Sequence, residues 1–234
     1  MARNRFVVEP SNGYWGISEE DNEDNLLSVL RAKPKPNKYY RGVHSIILNT
    51  TNQCNMDCIY CSAHKNGAEQ KMDMAVVRRV IDEAVKMELT PRIIFHGSEP
   101  LLNFPLIVSA VEYGEAKDRE VLFYLQSNLT ALTDSKLGFI KQHKIGVSTS
   151  IDGFKDQHNA TRPFRNGLST YDLIVANIEK ILEFQKGMST ATVVTKYNVG
   201  NMNEIALDLE EKRVTHLQFL PVVKCKDCNE DYRP

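Results

Sequence analysis

Three cysteines fall within eight residues, Cys54-Asn-Met-Asp-Cys58-Ile-Tyr-Cys61, spaced x3 then x2. Thiolates are soft donors that hold zinc and iron–sulfur clusters. A structural zinc ion takes four protein ligands, and a catalytic one takes three plus water. Three thiols without a close fourth ligand suit a cubane cluster with one iron left open. Zinc and three incidental thiols are the alternatives. A second chemical stretch is His96-Gly97-Ser98-Glu99-Pro100. A glycine there lets backbone approach a ligand closely, and exposed carbonyls with a carboxylate can receive an ammonium group. His96 reads as a pocket-lining or hydrogen-bonding residue rather than a metal ligand. Further polar groups are Ser127-Asn128, Ser150 with Asp152-Gly153, and Arg162-Pro163. Arg162 is either a clamp for a carboxylate or a surface arginine paired with a nearby acid.

These residues need elements to position them. From residue 43 short apolar runs alternate with amphipathic stretches. The expected strands are Ser45–Asn49, Arg92–His96, Val121–Gln126, Ile145–Ser150, Thr190–Thr195 and His216–Pro221. They show little sustained polar alternation, as strands buried on both faces would. Helix starts are marked by Asp73, by Asn103 before Phe104-Pro105, by Thr133, by Thr170, and by Asn201 or Asn203. The inward residues would be Val76, Val77, Val80, Ile81, Ala84 and Met87 in the first helix, and Leu173, Ile174, Ile178, Ile181 and Leu182 after Thr170. The last helix would carry Ile205 and Leu209. Alternation of this kind implies parallel strands. Six strands are too few for a complete eight-fold barrel, so the expected class is α/β, a partial (β/α)6 TIM-like barrel with a short N-terminal appendage.

Chemistry in parallel α/β folds gathers at the C-terminal ends of strands, and each chemical stretch falls there. Taken singly, most are ordinary strand-to-helix turns; together with the cysteines they are not. CxxxCxxC with an aromatic before the last cysteine resembles the signature of the radical S-adenosylmethionine (SAM) enzymes. The resemblance implies that Cys54, Cys58 and Cys61 hold a [4Fe–4S] cluster whose open iron is chelated by SAM. Reductive cleavage would then give a 5′-deoxyadenosyl radical that abstracts hydrogen from a substrate. His96–Pro100 is similar to the family's GGEP motif, which receives the amino group of SAM, with Ser98 in place of the second glycine. Ser127 and Asn128 match a polar pair, Ser150 a SAM-contacting serine, Leu220 an apolar residue that packs on adenine, and Tyr60 would lie beside the adenine. Asp152-Gly153…His158…Arg162-Pro163 resembles "DGxxxxHxxxRP", found in anaerobic sulfatase-maturing enzymes and other SPASM-type peptide maturases. The resemblance covers roughly residues 43–222 and implies a peptide or protein substrate, cross-linked or oxidised, with flavodoxin or ferredoxin as reductant. A small-molecule substrate and a non-catalytic metal-binding domain of the same fold are the alternatives. No catalytic base can be named.

The domains read as 1–42, an N-terminal extension and linker; 43–222, the barrel; and 223–234, a C-terminal tail. In the extension, Phe6–Val8 and Tyr14–Ile17 would form a hairpin across Asn12-Gly13, Leu26–Leu30 a short helix, and Lys33–Asn37 a linker. It could dock a partner or simply cover the barrel's bottom or edge. Cys225-x-x-Cys228 in the tail is either part of an auxiliary Fe–S or zinc site or two free thiols. The 234 residues, 42% hydrophobic and 25% charged, are ordinary for a globular protein. Net charge is −1, so no basic field advertises nucleic acid. No apolar run reaches a membrane span and no signal-peptide core is present, which makes a reducing cytoplasm the expected location.

Overall fold

The computed structural model describes residues 6–9, 15–16, 45–61, 68–86, 90–222 and 232–233. Met87, the expected helix at Leu26–Leu30, the linker and Cys225 and Cys228 lie outside these. The described chain divides into two compact units. One comprises the residues up to Asn52 with Glu69–Leu125 and His143–Ile145; the other comprises Gln53–Ala68, Gln126–Gln142 and the residues from Gly146 onward.

In the first unit the apolar runs form β3 (Ser45–Asn49), β4 (Arg92–His96) and β5 (Leu122–Gln126), following β1 (Phe6–Glu9) and β2 (Trp15–Gly16). β3, β4 and β5 are parallel, in the registers Ile47↔Ile94 and Ile94↔Tyr124. β1 pairs antiparallel with both β2 and β3, so the N-terminal hairpin exists and extends the sheet. The expectation of strands buried on both faces needs correction. Ile46, Leu48, Ile93, Phe95, Phe123 and Leu125 are fully or almost fully buried, whereas the alternate residues Ile47, Asn49, Ile94, His96 and Tyr124 stay half-accessible. One face is a closed core, where Phe95 and Phe123 stack with centroids 5.8 Å apart. The other carries apolar side chains without being sealed. Helix α1 (Met74–Lys86) starts where Asp73 Oδ1 accepts the Ala75 N–H at 2.8 Å, and it buries Val77, Val80, Ile81 and Ala84. Helix α2 (Phe104–Glu115) follows a 3-10 turn over Pro100–Asn103. Asn103 does not cap it; its amide donates to the Thr50 carbonyl at 2.9 Å.

The second unit holds α3 (Asp134–Gln142), β6 (Gly146–Ser150), α4 (Lys155–Thr161), α5 (Tyr171–Leu182), β7 (Met188–Val194), α6 (Met202–Glu211) and β8 (Val214–Pro221). β6, β7 and β8 are again parallel, with Ser150↔Ala191 and Ala191↔Gln218. Ile151, Ile205, Leu209 and Val214 form a core cluster packed by Tyr171, Val175, Leu217 and Phe219. Ile174, Ile178, Ile181 and Leu182 of α5 are buried as the periodicity requires, but Leu173 is 42% exposed and points away. Thr170 does not cap α5. Asn159 does so from α4, accepting the N–H groups of Thr170 and Tyr171 at 3.1 Å each. Helix α4 is an addition to the expected set.

Candidate active site

Local backbone chemistry shapes the stretch after β4. Gly97 has φ +118°, and a Cβ there would lie 2.6 Å from the Thr51 carbonyl oxygen. That oxygen accepts the Ser98 N–H at 3.1 Å, so backbone meets backbone where only glycine fits. Ser98 needs no such licence, because its φ is not positive. Serine is therefore compatible with this turn. Among the described residues the buried Ser98 hydroxyl has no hydrogen-bond partner. Glu99 is fully buried, and its Oε1 accepts the Leu101 N–H at 3.0 Å, capping the turn that Pro100 opens. His96 lies on the half-accessible face, and burial pulls its imidazole below the usual range, leaving it neutral at pH 7.

The cysteine loop belongs to the second unit, where it is zipped to a segment a hundred residues away. Asp57 N–H donates to the Pro163 carbonyl at 2.9 Å, Ile59 N–H to that of Thr161 at 3.0 Å, and Arg165 N–H to that of Asn55 at 3.3 Å. Met56, fully buried, bridges Phe164 antiparallel. Two motifs that look independent in the sequence are thus one piece of structure. Cys54, Cys58 and Cys61 are all thiols, with no disulfide among them. Burial pushes the Cys58 thiol up to about 11, outweighing the pull of the Arg162 charge. Cys54 Sγ receives the Met56 N–H at 3.4 Å and the Asn128 amide at 3.7 Å. Among the described residues no three His, Cys, Asp or Glu side chains gather closely enough to hold one metal ion. A cubane cluster with one open iron asks for one thiolate on each of its other three irons, and a donor set of three thiols fits that demand.

Of the residues at the strand ends in this unit, Asn128 reaches the loop. Ser127 Oγ accepts the Leu129 N–H at 2.9 Å, and Asn128 binds Asn55 Oδ1 at 3.1 Å and both donors of Thr130 at 2.8 Å. Leu129, fully buried, is held at φ +62°, a left-handed conformation costly for leucine. Ser150 accepts from Gln126 Nε2 at 3.3 Å. Leu220, 38% exposed, stands in register with Val193.

Asp152, which the sequence marks as the start of a motif but to which it assigns no role, is the centre of a hydrogen-bond network. It is fully buried. Its Oδ2 accepts the Tyr60 hydroxyl at 2.5 Å and the Thr161 hydroxyl at 3.0 Å, and its Oδ1 accepts the Val193 N–H at 3.0 Å. Its carbonyl accepts Asn198 Nδ2 at 3.1 Å. Its own N–H donates to His158 Nδ1 at 3.2 Å. That bond makes Nδ1 an acceptor, so the proton of His158 is on Nε2, which donates to Thr170 Oγ1 at 3.1 Å. Thr170 in turn donates to the Arg162 carbonyl at 2.6 Å. Burial first, and then the Arg162 charge, hold His158 well below its usual range, so it is neutral. Arg162 is only 8% exposed, which rules out a surface ion pair. Its Nη1 donates to the Tyr60 hydroxyl at 2.7 Å, and its buried Nε has no partner among the described residues. Asp152 and His158 leave a signal in the sequence, the spacing Asp152-Gly153…His158…Arg162-Pro163; Thr161 leaves none.

An uncharacterized protein of Methanocaldococcus jannaschii is 31% identical, over 78% of this chain and 68% of its own. The cysteine-type anaerobic sulfatase-maturating enzyme of Clostridium perfringens is 26% identical, over 75% of this chain and 50% of its own. The chain thus spans about half the length of that enzyme. Among solved structures, native anSMEcpe with bound AdoMet and the Kp18Cys peptide superposes with a TM-score of 0.70 at 24% identity, covering 82% of this chain and 55% of the other. SuiB of Streptococcus suis bound to S-adenosylmethionine gives 0.64 at 13% identity, covering 80% of this chain and 43% of the other. These likenesses show the fold, an α/β partial barrel. No helix among the described residues is long and apolar enough to cross a membrane. The family model described as Radical SAM superfamily matches residues 48–209, and this chain belongs to that superfamily.

Proposed function

We propose that this chain is the SAM-cleaving part of a radical SAM enzyme that abstracts hydrogen from a peptide or protein side chain. Cys54, Cys58 and Cys61 would hold a [4Fe–4S] cluster. Gly97–Pro100 would receive the amino group of SAM, Arg162 and Ser150 its carboxylate end, and Tyr60 and Leu220 its adenine, with His96, Ser127 and Asn128 as polar lining. When bound, cluster and SAM together supply a 5′-deoxyadenosyl radical after one electron arrives from a flavodoxin- or ferredoxin-type reductant. The chain's own residues bind, orient and desolvate. Asn128 and the Met56 N–H donate to Cys54, which favours its thiolate. The buried Arg162 brings positive charge to Cys58, which must lose its proton to serve as a ligand.

The observation that carries the reading is a thiol-only loop laddered onto a segment that holds a buried arginine whose Nε–H is unpaired among the described residues. A peptide substrate is favoured because several relatives are sulfatase-maturating enzymes or have been solved with a peptide bound. Cross-linking and oxidation are both compatible with hydrogen abstraction. The test is anaerobic reconstitution with iron and sulfide, followed by SAM, dithionite and a cysteine- or serine-containing peptide. The expected result is a brown protein, 5′-deoxyadenosine, and a peptide of altered mass. Formation of 5′-deoxyadenosine that no peptide alters would favour a small-molecule substrate. Zinc without iron would identify a non-catalytic metal-binding domain.

A further inference from the structure

Tyr60 occupies the position between Cys58 and Cys61 where an aromatic ring suffices to face a nucleoside, yet its hydroxyl is fully employed. It donates to Asp152 at 2.5 Å and accepts from Arg162 at 2.7 Å. No direct Asp152–Arg162 ion pair forms among the described residues; the phenol stands between the two charges. The Tyr60 bond is also the one hydrogen bond that the Arg162 guanidinium makes among them, and Nε–H is left open. Asp152 is in turn fixed by Thr161, Val193 and Asn198, and both it and Arg162 are backed by neutral His158 and Thr170.

We propose that the Tyr60 hydroxyl is a positioning group, which holds Arg162 with its Nε–H free for a carboxylate ligand and ties the Cys58–Cys61 turn to Asp152. A buried charge held by one hydrogen bond loses its orientation when that bond is removed. The inference rests on the proposed role of Arg162 toward SAM, and extends it to a residue whose ring alone was assigned.

Tyr60→Phe keeps the ring and deletes the hydroxyl. In the reconstituted protein, calorimetry should show SAM binding weakened about 10- to 100-fold, the range for a hydrogen bond to a charged group. Decarboxylated SAM, which keeps the sulfonium, amine and adenine, should change less than about twofold between wild type and variant. Equal losses for the two ligands, or no loss for either, would overturn the proposal. Should the variant fail to take up iron, the cluster-free protein still decides. Tyr60→Phe and Arg162→Met should lower the melting temperature by less together than their separate effects add to, because each removes the same bond. Additive effects would refute the coupling. A wild type that takes up no iron would instead defeat the proposed function and leave this cycle readable.

Discussion

Gly97→Ala tests the backbone geometry after β4 most sharply. Gly97 has φ +118°, a conformation that costs a non-glycine residue about 1–3 kcal/mol. The new Cβ would stand 2.6 Å from the Thr51 carbonyl oxygen, which belongs to backbone and cannot swing aside. Moving that carbonyl sacrifices its bond from Ser98 N–H, worth about 1 kcal/mol. The sum is about 2–4 kcal/mol, or a melting temperature lower by about 4–16 °C at this chain length. Two other glycines calibrate the effect. Gly167 has φ +79° but nothing within 4 Å of an added methyl, so its alanine variant should lose only the conformational part. Gly200 has neither constraint and should be nearly silent. Differential scanning calorimetry of the three alanine variants reads the order directly. A Gly97→Ala protein as stable as Gly200→Ala would refute the close approach of the two backbone segments.

Three more outcomes follow from the second unit and from His96. Alkylation with iodoacetamide at pH 8 in the cluster-free protein should modify Cys58 last, because it is buried with its thiol pushed up to about 11, while Cys54 and Cys61 are half-accessible; peptide mass mapping over time checks this. His158 and His96 both have folded-state values depressed below 6.5 by burial, so below pH 6.5 the unfolded chain binds protons that the folded chain refuses. Stability is therefore full above pH 6.5 and falls as pH drops below it, by up to about 1.4 kcal/mol per pH unit for each group, and urea titrations of wild type and His158→Asn should show a flatter profile in the variant. Asn159→Ala removes the acceptor for two N–H groups at the start of α5 and should cost about 1–2 kcal/mol, a fall of about 2–8 °C in melting temperature with no change in iron content.

The cysteine trio and the strand order were legible because each depends on local pattern. Soft donors at fixed spacing, and apolar runs between capping residues, need no knowledge of distant contacts. What escaped is what distant contacts decide. Helix α4, Lys155–Thr161, is polar almost throughout and buries only His158 and Thr161, so it has no apolar stripe to betray it; hydrogen bonds to Asp152, Thr170 and Asn201 hold it instead. Thr170 and Asn103 carry the chemistry of caps, but their side chains are taken by the carbonyls of Arg162 and Thr50. Leu173 and Ile174 are neighbours on one helix turn, and burial went to Ile174 alone. Strands rich in isoleucine and valine read as sealed on both faces, though only alternate residues are. A surface role for Arg162 stayed open as the lesser reading until the hydroxyl of Tyr60, about a hundred positions earlier, was placed against it.

The central claim is that three thiolates leave one iron open to SAM. Electron–nuclear double resonance on the reduced, reconstituted protein with SAM labelled with carbon-13 at its carboxylate reads this directly. The account predicts a carbon-13 coupling that appears with labelled SAM and disappears when Cys58→Ala prevents cluster assembly. A cluster signal that SAM leaves unchanged, or the same coupling in Cys58→Ala, would contradict it.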